Sequence, residues 1–226
     1  MKTSVLAAAI DQTLLKPTSG FKEAAAWMDA ARDAGFASLC VSPFLVPLAA
    51  QKLAGTDTLV CSVAGFPLGY CNTESKAAEA RLLVELGCEE VDMVFNIAAF
   101  LEGETTFVED DIRAVVDGVG YGSDRRAIVK VIIETGYLSE GEIDSASRIA
   151  VAAGAHFVKT STGFGPRGAS VRDVQIMRAA VGPDIGVKAA GGIRDLDTAL
   201  EMLDAGASRL GSSSGLEILE ALEHRG

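Results

Sequence analysis

Hydrophobic and polar positions along the chain alternate between two textures. Short apolar runs, read as strands, lie at 8–12 (AAIDQ), 37–41 (ASLCV), 58–63 (TLVCSV), 90–95 (EVDMVF), 127–133 (AIVKVII), 156–160 (HFVKT), 185–189 (IGVKA) and 207–210 (ASRL). Longer alanine-rich segments between them, such as ESKAAEARLLVELGC and VRDVQIMRAAVG, carry apolar residues at mixed three- and four-residue spacing, the period of a helix with one buried face. These two end near Gly87 and Gly182, and the triplets AGF, LGC, AGA and AGA recur just before strands, so the repeating unit is helix, glycine, strand. Such alternation predicts an α/β fold with a parallel sheet. Eight runs predict a closed (β/α)8 TIM barrel, a fold of roughly 250 residues, here as a single domain over residues 1–226. A doubly wound open sheet carries the same periodicity and is the alternative.

In a barrel the chemistry sits at the C-terminal ends of the strands, and successive side chains point alternately into the barrel and towards the helices. In VDMVFN, Asp92, Val94 and Asn96 therefore share a face, and in IVKVIIE Lys130 lies with Ile128, Ile132 and Glu134. Lys159, Lys188 and Asp11 add three more ionisable groups to runs that otherwise read as buried. A lone buried lysine usually belongs to an ion pair or reaches solvent at a strand end. Several such groups on separate strands would converge in one barrel mouth, which structural ion pairs do not require. A free lysine amine has a pKa of ~10.4 and is a poor nucleophile at neutral pH, but a neighbouring cation and an apolar wall lower that value, as Schiff-base chemistry requires. Lys159 and Lys188 on adjacent strands offer this pairing, with Asp92 placed to hold a water or the second ammonium and relay protons. Spacing alone leaves open which lysine is the nucleophile.

Composition narrows the partners. With 20 Lys+Arg against 31 Asp+Glu and a formal net charge of -11, the chain is not expected to bind nucleic acid or an anionic membrane, so an anionic ligand needs a local site. No run is long enough to span a bilayer, and the N-terminal patch MKTSVLAAAIDQTLLKP is broken by Asp11 and Gln12 without a cleavage pattern. Cys40, Cys61, Cys71 and Cys88 show no C-x-x-C pairing, which fits a reducing cytoplasmic setting. A metal site is not expected: the only histidines are His156 and His224, and no H-x-H or H-E-x-x-H motif occurs. His156, at the start of a strand, reads as a packed or bottom-face residue and not a ligand, and Cys40 as a buried thiol that could line the pocket.

Two glycine-rich stretches fall after the seventh and eighth strands, AAGGIRD at 189–195 and LGSSSGLE at 210–217. Loops there bind phosphate in many barrels, through backbone N–H groups that glycine leaves accessible and a helix N-terminus. Ordinary turns with serine N-caps are the alternative. GFGPRG at 163–168 fits G-x-G-x-x-G, but Pro166 interrupts it and no acidic residue ends the next strand; GVGYG at 118–122 precedes a strand. Neither is read as a dinucleotide site.

Taken in order, IDQTLLKP, SVAGFPLG, VDMVFN, KVIIET, FVKTSTGF, VKAAGGIR and GSSSG resemble the deoxyribose-phosphate aldolase family, class I aldolases with a TIM barrel fold, over nearly the whole chain. The resemblance implies reversible cleavage of 2-deoxy-D-ribose 5-phosphate to D-glyceraldehyde 3-phosphate and acetaldehyde. It implies that Lys159 forms the Schiff base, that Lys188 is the cation tuning it and that Asp92 is the proton-relay partner. By the same likeness Asp11 and Thr13 contact the sugar hydroxyls. Thr162, Gly163, Gly191, Gly192, Ser213 and Ser214 surround the phosphate, with Gly211 in the same loop. Cys40 lies near the substrate, and Lys130 joins the substrate-binding set. No metal or organic cofactor is implied. The expected partners are a small phosphosugar and aldehydes, with a homo-oligomer, expected as a dimer, as the assembly. The chain departs from many relatives at Gln12, where they read His, and at Ser42, where they read V-N-P. Phe164 stands where some carry a phosphate-assisting lysine, and the sequence ends EHRG without the C-terminal tyrosine of some members. The rival readings are a phosphosugar isomerase or decarboxylase using Asp92 and Lys130 without an imine, and a non-catalytic phosphosugar-binding barrel.

Overall fold

The computed structural model describes residues 1–120 and 127–225, so the last two residues of GVGYG lie outside the described residues. Eight parallel strands form one closed barrel in chain order: β1 Ile10–Leu14, β2 Ser38–Val41, β3 Leu59–Ala64, β4 Glu90–Val94, β5 Ile128–Ile132, β6 Phe157–Lys159, β7 Gly186–Ala190 and β8 Arg209–Ser212. Closure is made by β1 against β8, with Asp11 opposite Gly211 and Gln12 opposite Ser212, which removes the open-sheet alternative. Every expected strand is present. β1 and β8 start two residues later than the pattern places them. Ala7 ends the short helix α1 (Thr3–Ala7), and three consecutive alanines there favour a helix and turn over a strand.

The helices α2 (Phe21–Ala31), α3 (Val46–Lys52), α4 (Thr73–Glu85), α5 (Ile97–Leu101), α6 (Thr105–Gly118), α7 (Glu140–Ala152), α8 (Val171–Val181), α9 (Leu196–Asp204) and α10 (Gly215–Arg225) connect the strands. The side chains of Asn72, Ser139, Ser170 and Asp195 cap α4, α7, α8 and α9, each such cap being worth about 1 kcal/mol. The recurrent glycines before strands, Gly35, Gly87, Gly154 and Gly206, all have positive φ, from 74° to 111°, which turns the chain from helix end to strand. Among the described residues no helix is long and apolar enough to cross a membrane.

The main apolar core lies between sheet and helices. Val91, Met93, Val129, Val131, Val158 and Val187 point outward from the strands and pack with helix residues such as Leu83, Ile112, Ile143 and Met177. The opposite parity therefore faces the barrel axis, where β4 and β5 carry Glu90, Asp92 and Lys130, all fully buried. Hydrophobic stabilisation and chemistry are thus assigned to opposite faces of the same strands.

Candidate active site

Register brings the charged residues together. Asp92 is the strand partner of Lys130, and Lys159 that of Lys188, so two neighbouring pairs face each other across the axis. Asp92 Oδ2 accepts from Lys159 Nζ at 2.7 Å and Lys188 Nζ at 2.6 Å, while Oδ1 accepts from Lys130 Nζ at 2.9 Å and Cys61 Sγ at 3.4 Å. Lys188 Nζ also lies 2.6 Å from Asp11 Oδ2. Below them Lys130 Nζ lies 2.5 Å from Glu90 Oε2 and 3.2 Å from Asp11 Oδ2, and the Arg209 guanidinium joins Asp11 Oδ1 at 2.5 Å and Glu90 Oε2 at 3.1 Å. Two glycines make room: a Cβ on Gly211 would meet Lys188 Cε at 3.1 Å, and one on Gly186 would strike the Phe157 ring at 2.1 Å.

The electrostatics follow from burial set against these contacts. Burial alone would raise Asp92, but Lys130, Lys159 and Lys188 outweigh it and hold the carboxyl well below the usual range. Asp11 is likewise lowered, its burial overcome by Lys130, Lys188 and Arg209. Burial pulls down both Lys130 and Lys188, yet Asp11 and Asp92 raise each above the ordinary lysine value. Asp92 is therefore an anion at neutral pH, and Lys130 and Lys188 are cations.

The contacts distinguish the two lysines that spacing left equivalent. Lys188 bridges Asp11 and Asp92 and Lys130 touches three carboxylates, whereas Lys159 pairs with Asp92 alone. Lys159 ends β6 and keeps 3% exposure where Lys130 and Lys188 keep none. Four cationic groups face three carboxylates in this array, so Lys159 is the amine that can leave its partner with the least loss.

Cys40, Cys61 and Val63, packed with Leu15 and Phe66, form an apolar wall beside the ion array. A hydrogen bond with Cys61 lowers the Cys40 thiol against the pull of burial, while burial raises Cys61 and pushes Cys88 up to about 12. Thr13, the strand partner of Cys40, shares the inward parity of Asp11 and donates its hydroxyl to the Asp11 carbonyl at 2.9 Å. Cys40, Cys61 and Asp92, and separately Asp11, Cys61 and Glu90, are close enough to share a cation. The carboxylates of both groups are already ion-paired with ammonium or guanidinium groups, which oppose a dication there. His156, exposed just before β6, accepts the Val129 N–H through Nδ1 at 3.0 Å, and His224 is exposed on α10.

At the ends of β6 and β7, Gly163 and Gly192 have φ of 87° and 82°, and a Cβ on either would project into open space. Their N–H groups donate to no protein acceptor among the described residues. Gly191 also has positive φ, 89°, and packs against Gly168. After β8, Gln12 Oε1 accepts the Gly215 N–H at 2.8 Å and Gln12 Nε2 donates to the Ser213 carbonyl at 3.4 Å, so the departure at position 12 anchors the turn that carries Ser213 and Ser214. Thr162 gives both its N–H and its hydroxyl to Glu134. Phe164 places its ring edge-on to Phe66, with centroids 5.4 Å apart.

Sequence reasoning passed over Glu90, Arg209 and Cys61 and gave Glu134 no role. Parity was the available signal, since Glu90 stands two residues before Asp92, Arg209 two before Gly211, and Glu134 four after Lys130. The last two glycines of GFGPRG prove to be packing positions: a Cβ on Gly165 would lie 2.7 Å from the Glu134 carboxyl, and one on Gly168 2.1 Å from the Gly191 carbonyl.

Residues 5–221 match the family described as DeoC/LacD family aldolase. A protein of Bacillus licheniformis named deoxyribose-phosphate aldolase 1 is 51% identical over 220 residues, covering 97% of each chain. Among solved structures, one described as QR15, an aldolase, superposes with a TM-score of 0.91 at 40% identity, covering 97% of this chain and 96% of its own. The deoxyribose phosphate aldolase of Aeropyrum pernix, described as a unique tetrameric structure, gives a TM-score of 0.88 at 31% identity over 100% of this chain and 94% of its own.

Proposed function

The chain belongs to the DeoC/LacD aldolase family, and from that premise we propose that it is a class I aldolase cleaving 2-deoxy-D-ribose 5-phosphate reversibly to D-glyceraldehyde 3-phosphate and acetaldehyde. The observation that carries the imine mechanism is the position of Lys159: it is the only lysine of the array with a single carboxylate partner, and it stands at the strand end.

Lys159 Nζ attacks the C1 aldehyde, and loss of water gives the iminium. The C3 hydroxyl loses its proton, the C2–C3 bond breaks towards the iminium, and the three-carbon glyceraldehyde 3-phosphate leaves. The two-carbon enamine takes a proton at C2, and water then releases acetaldehyde and restores the amine. Asp92 holds the Lys159 and Lys188 nitrogens on one oxygen, so protons pass over a short path through Lys188, Asp92 and water. Lys188 places a positive charge beside the Lys159 amine, both nitrogens lying on Asp92 Oδ2. Lys130, Asp11, Glu90 and Arg209 form the floor that fixes these charges, and Asp11 and Thr13 lie on the side of the sugar hydroxyls.

The phosphate is read into the cradle of Gly163, Gly191, Gly192, Ser213 and Ser214, where the N–H groups of Gly163 and Gly192 are left to donate to an anion, those of Ser214 and Gly215 being taken by Ser212 and Gln12. Gly211 serves the pocket by leaving space for Lys188. Thr162 shapes the cradle from behind, its donors being taken by Glu134. Cys40 belongs to the apolar wall near the two-carbon fragment. The four free thiols suit the cytoplasm, and the tetrameric A. pernix relative supports a homo-oligomer.

With 2-deoxyribose 5-phosphate and excess chelator, the protein is expected to release glyceraldehyde 3-phosphate in a dehydrogenase-coupled assay. Lys159→Leu is expected to lower kcat by at least about a thousand-fold. Turnover by the variant near the parent's rate, or phosphosugar isomerisation without carbon–carbon cleavage, would contradict the imine reading.

A further inference from the structure

Glu134 is the only non-glycine among the described residues with positive φ, 48°, and it is 1% exposed. A buried acid held in the left-handed region persists only where its surroundings fix it. The surroundings here are the turn after β6. Glu134 Oε2 accepts the Thr162 N–H at 3.1 Å and the Thr162 hydroxyl, and Thr162 Oγ1 in turn accepts the Phe164 N–H at 3.0 Å. Gly165 completes the wrap, leaving no room for a Cβ against the carboxyl. The other oxygen, Oε1, has no hydrogen-bond partner among the described residues. Four consecutive residues, Thr162 to Gly165, are thus folded around one carboxylate that comes from the end of β5, and Gly163 lies inside that span.

We propose that Glu134 is a positioning residue for phosphate recognition: by holding Thr162 from behind, it aims the N–H of Gly163 at the substrate phosphate. This rests on the reading that the glycine cradle binds that phosphate. It explains why a charged side chain is retained at a backbone conformation that glycine adopts more easily: the acceptor is required there, and glycine has none. It also accounts for an aldolase site in which Phe164 brings no charge to the turn, since recognition then falls to backbone donors whose direction must be fixed.

The test compares 2-deoxyribose 5-phosphate with unphosphorylated 2-deoxyribose as substrates for the full-length protein. Glu134→Ala removes a charge-assisted acceptor, and KM for the phosphate ester is expected to rise about ten-fold or more, with the Ki of inorganic phosphate rising in parallel. kcat and kcat/KM for 2-deoxyribose should stay within about two-fold, because Lys159 and Asp92 are untouched. Glu134→Gly relieves the backbone strain and should show the same split, while Glu134→Gln, which keeps an oxygen facing Thr162, should recover most of the lost affinity. Equal losses on both substrates, an unchanged KM for the ester in Glu134→Gly, or Glu134→Gln as impaired as Glu134→Ala would each overturn the proposal while leaving the aldolase reading intact. A parent protein that cleaves neither substrate would overturn that reading and the proposal with it.

Discussion

Asp11 and Glu90 both pair with Arg209, which together with Lys130 neutralises the two carboxylates buried at the barrel floor. Removing one partner of a buried ion pair leaves the other desolvated, at a cost of about 3–5 kcal/mol. Arg209→Met is therefore expected to lower the free energy of unfolding by about that amount at neutral pH. The pH dependence has a definite sign. Asp11 is depressed in the fold partly by Arg209, so their interaction contributes stability above the unfolded carboxyl value of ~3.9 and loses it as pH falls through the folded value. Urea unfolding at several pH values should show the deficit of the variant full near neutrality and shrinking below about pH 4. A deficit independent of pH would trace it instead to packing of the guanidinium over the Phe157 ring, 5.3 Å away. At this scale the sequence was half legible. Asp92, Lys130, Lys159 and Lys188 stand out because a charge inside an apolar run has no ordinary explanation. Glu90 and Arg209 do not, because an acid or an arginine at the start of a strand reads equally well as a solvated end.

Turns after the strands act as units held by buried polar side chains. Gln12 reaches from β1 to the start of α10, where Gly215 is close enough that a Cβ would lie 2.4 Å from Gln12 Oε1. Gln12→Ala leaves the buried Gly215 N–H without its acceptor, an expected loss of about 1–3 kcal/mol of stability. It should also raise KM for 2-deoxyribose 5-phosphate several-fold while sparing 2-deoxyribose, measured side by side. Lost stability with unchanged KM for both would confine Gln12 to a structural role. On the far side of the mouth Lys76 of α4 is fully buried, with Nζ 2.5 Å from Asp111 Oδ2 and donating at 3.0 Å to the Gly69 carbonyl of the β3–α4 turn. The sequence placed α4 correctly but gave no sign of this, since a lysine among the charged positions of ESKAAEARLL reads as a solvated one. Strands and helices were legible from period and glycine stops. The exceptions, the late starts of β1 and β8, fall where alanine and a turn after Gly206 blur the boundary.

Closure is the property of the whole molecule on which the chemistry depends. Only when β1 meets β8 do charges from β1, β4, β5, β6, β7 and β8 occupy one interior, with the apolar core displaced to the space outside the sheet. No local pattern shows this, because parity tells which face a side chain takes and not what lies across from it. The shared oxygen of Asp92 joins residues 67 and 96 positions apart. The resemblance to a known family proposes Lys159 as the nucleophile, and the fold supplies a physical reason for that proposal, one carboxylate partner against two or three. The central claim is that Lys159 becomes covalently bonded to the substrate. The most direct measurement is to incubate the protein with 2-deoxyribose 5-phosphate and chelator, reduce with borohydride and locate the added mass by peptide mapping. The account predicts an adduct on Lys159 that is absent from Lys159→Leu. An adduct on Lys188 would reverse the two lysine roles, and no adduct under conditions of turnover would contradict the imine mechanism itself.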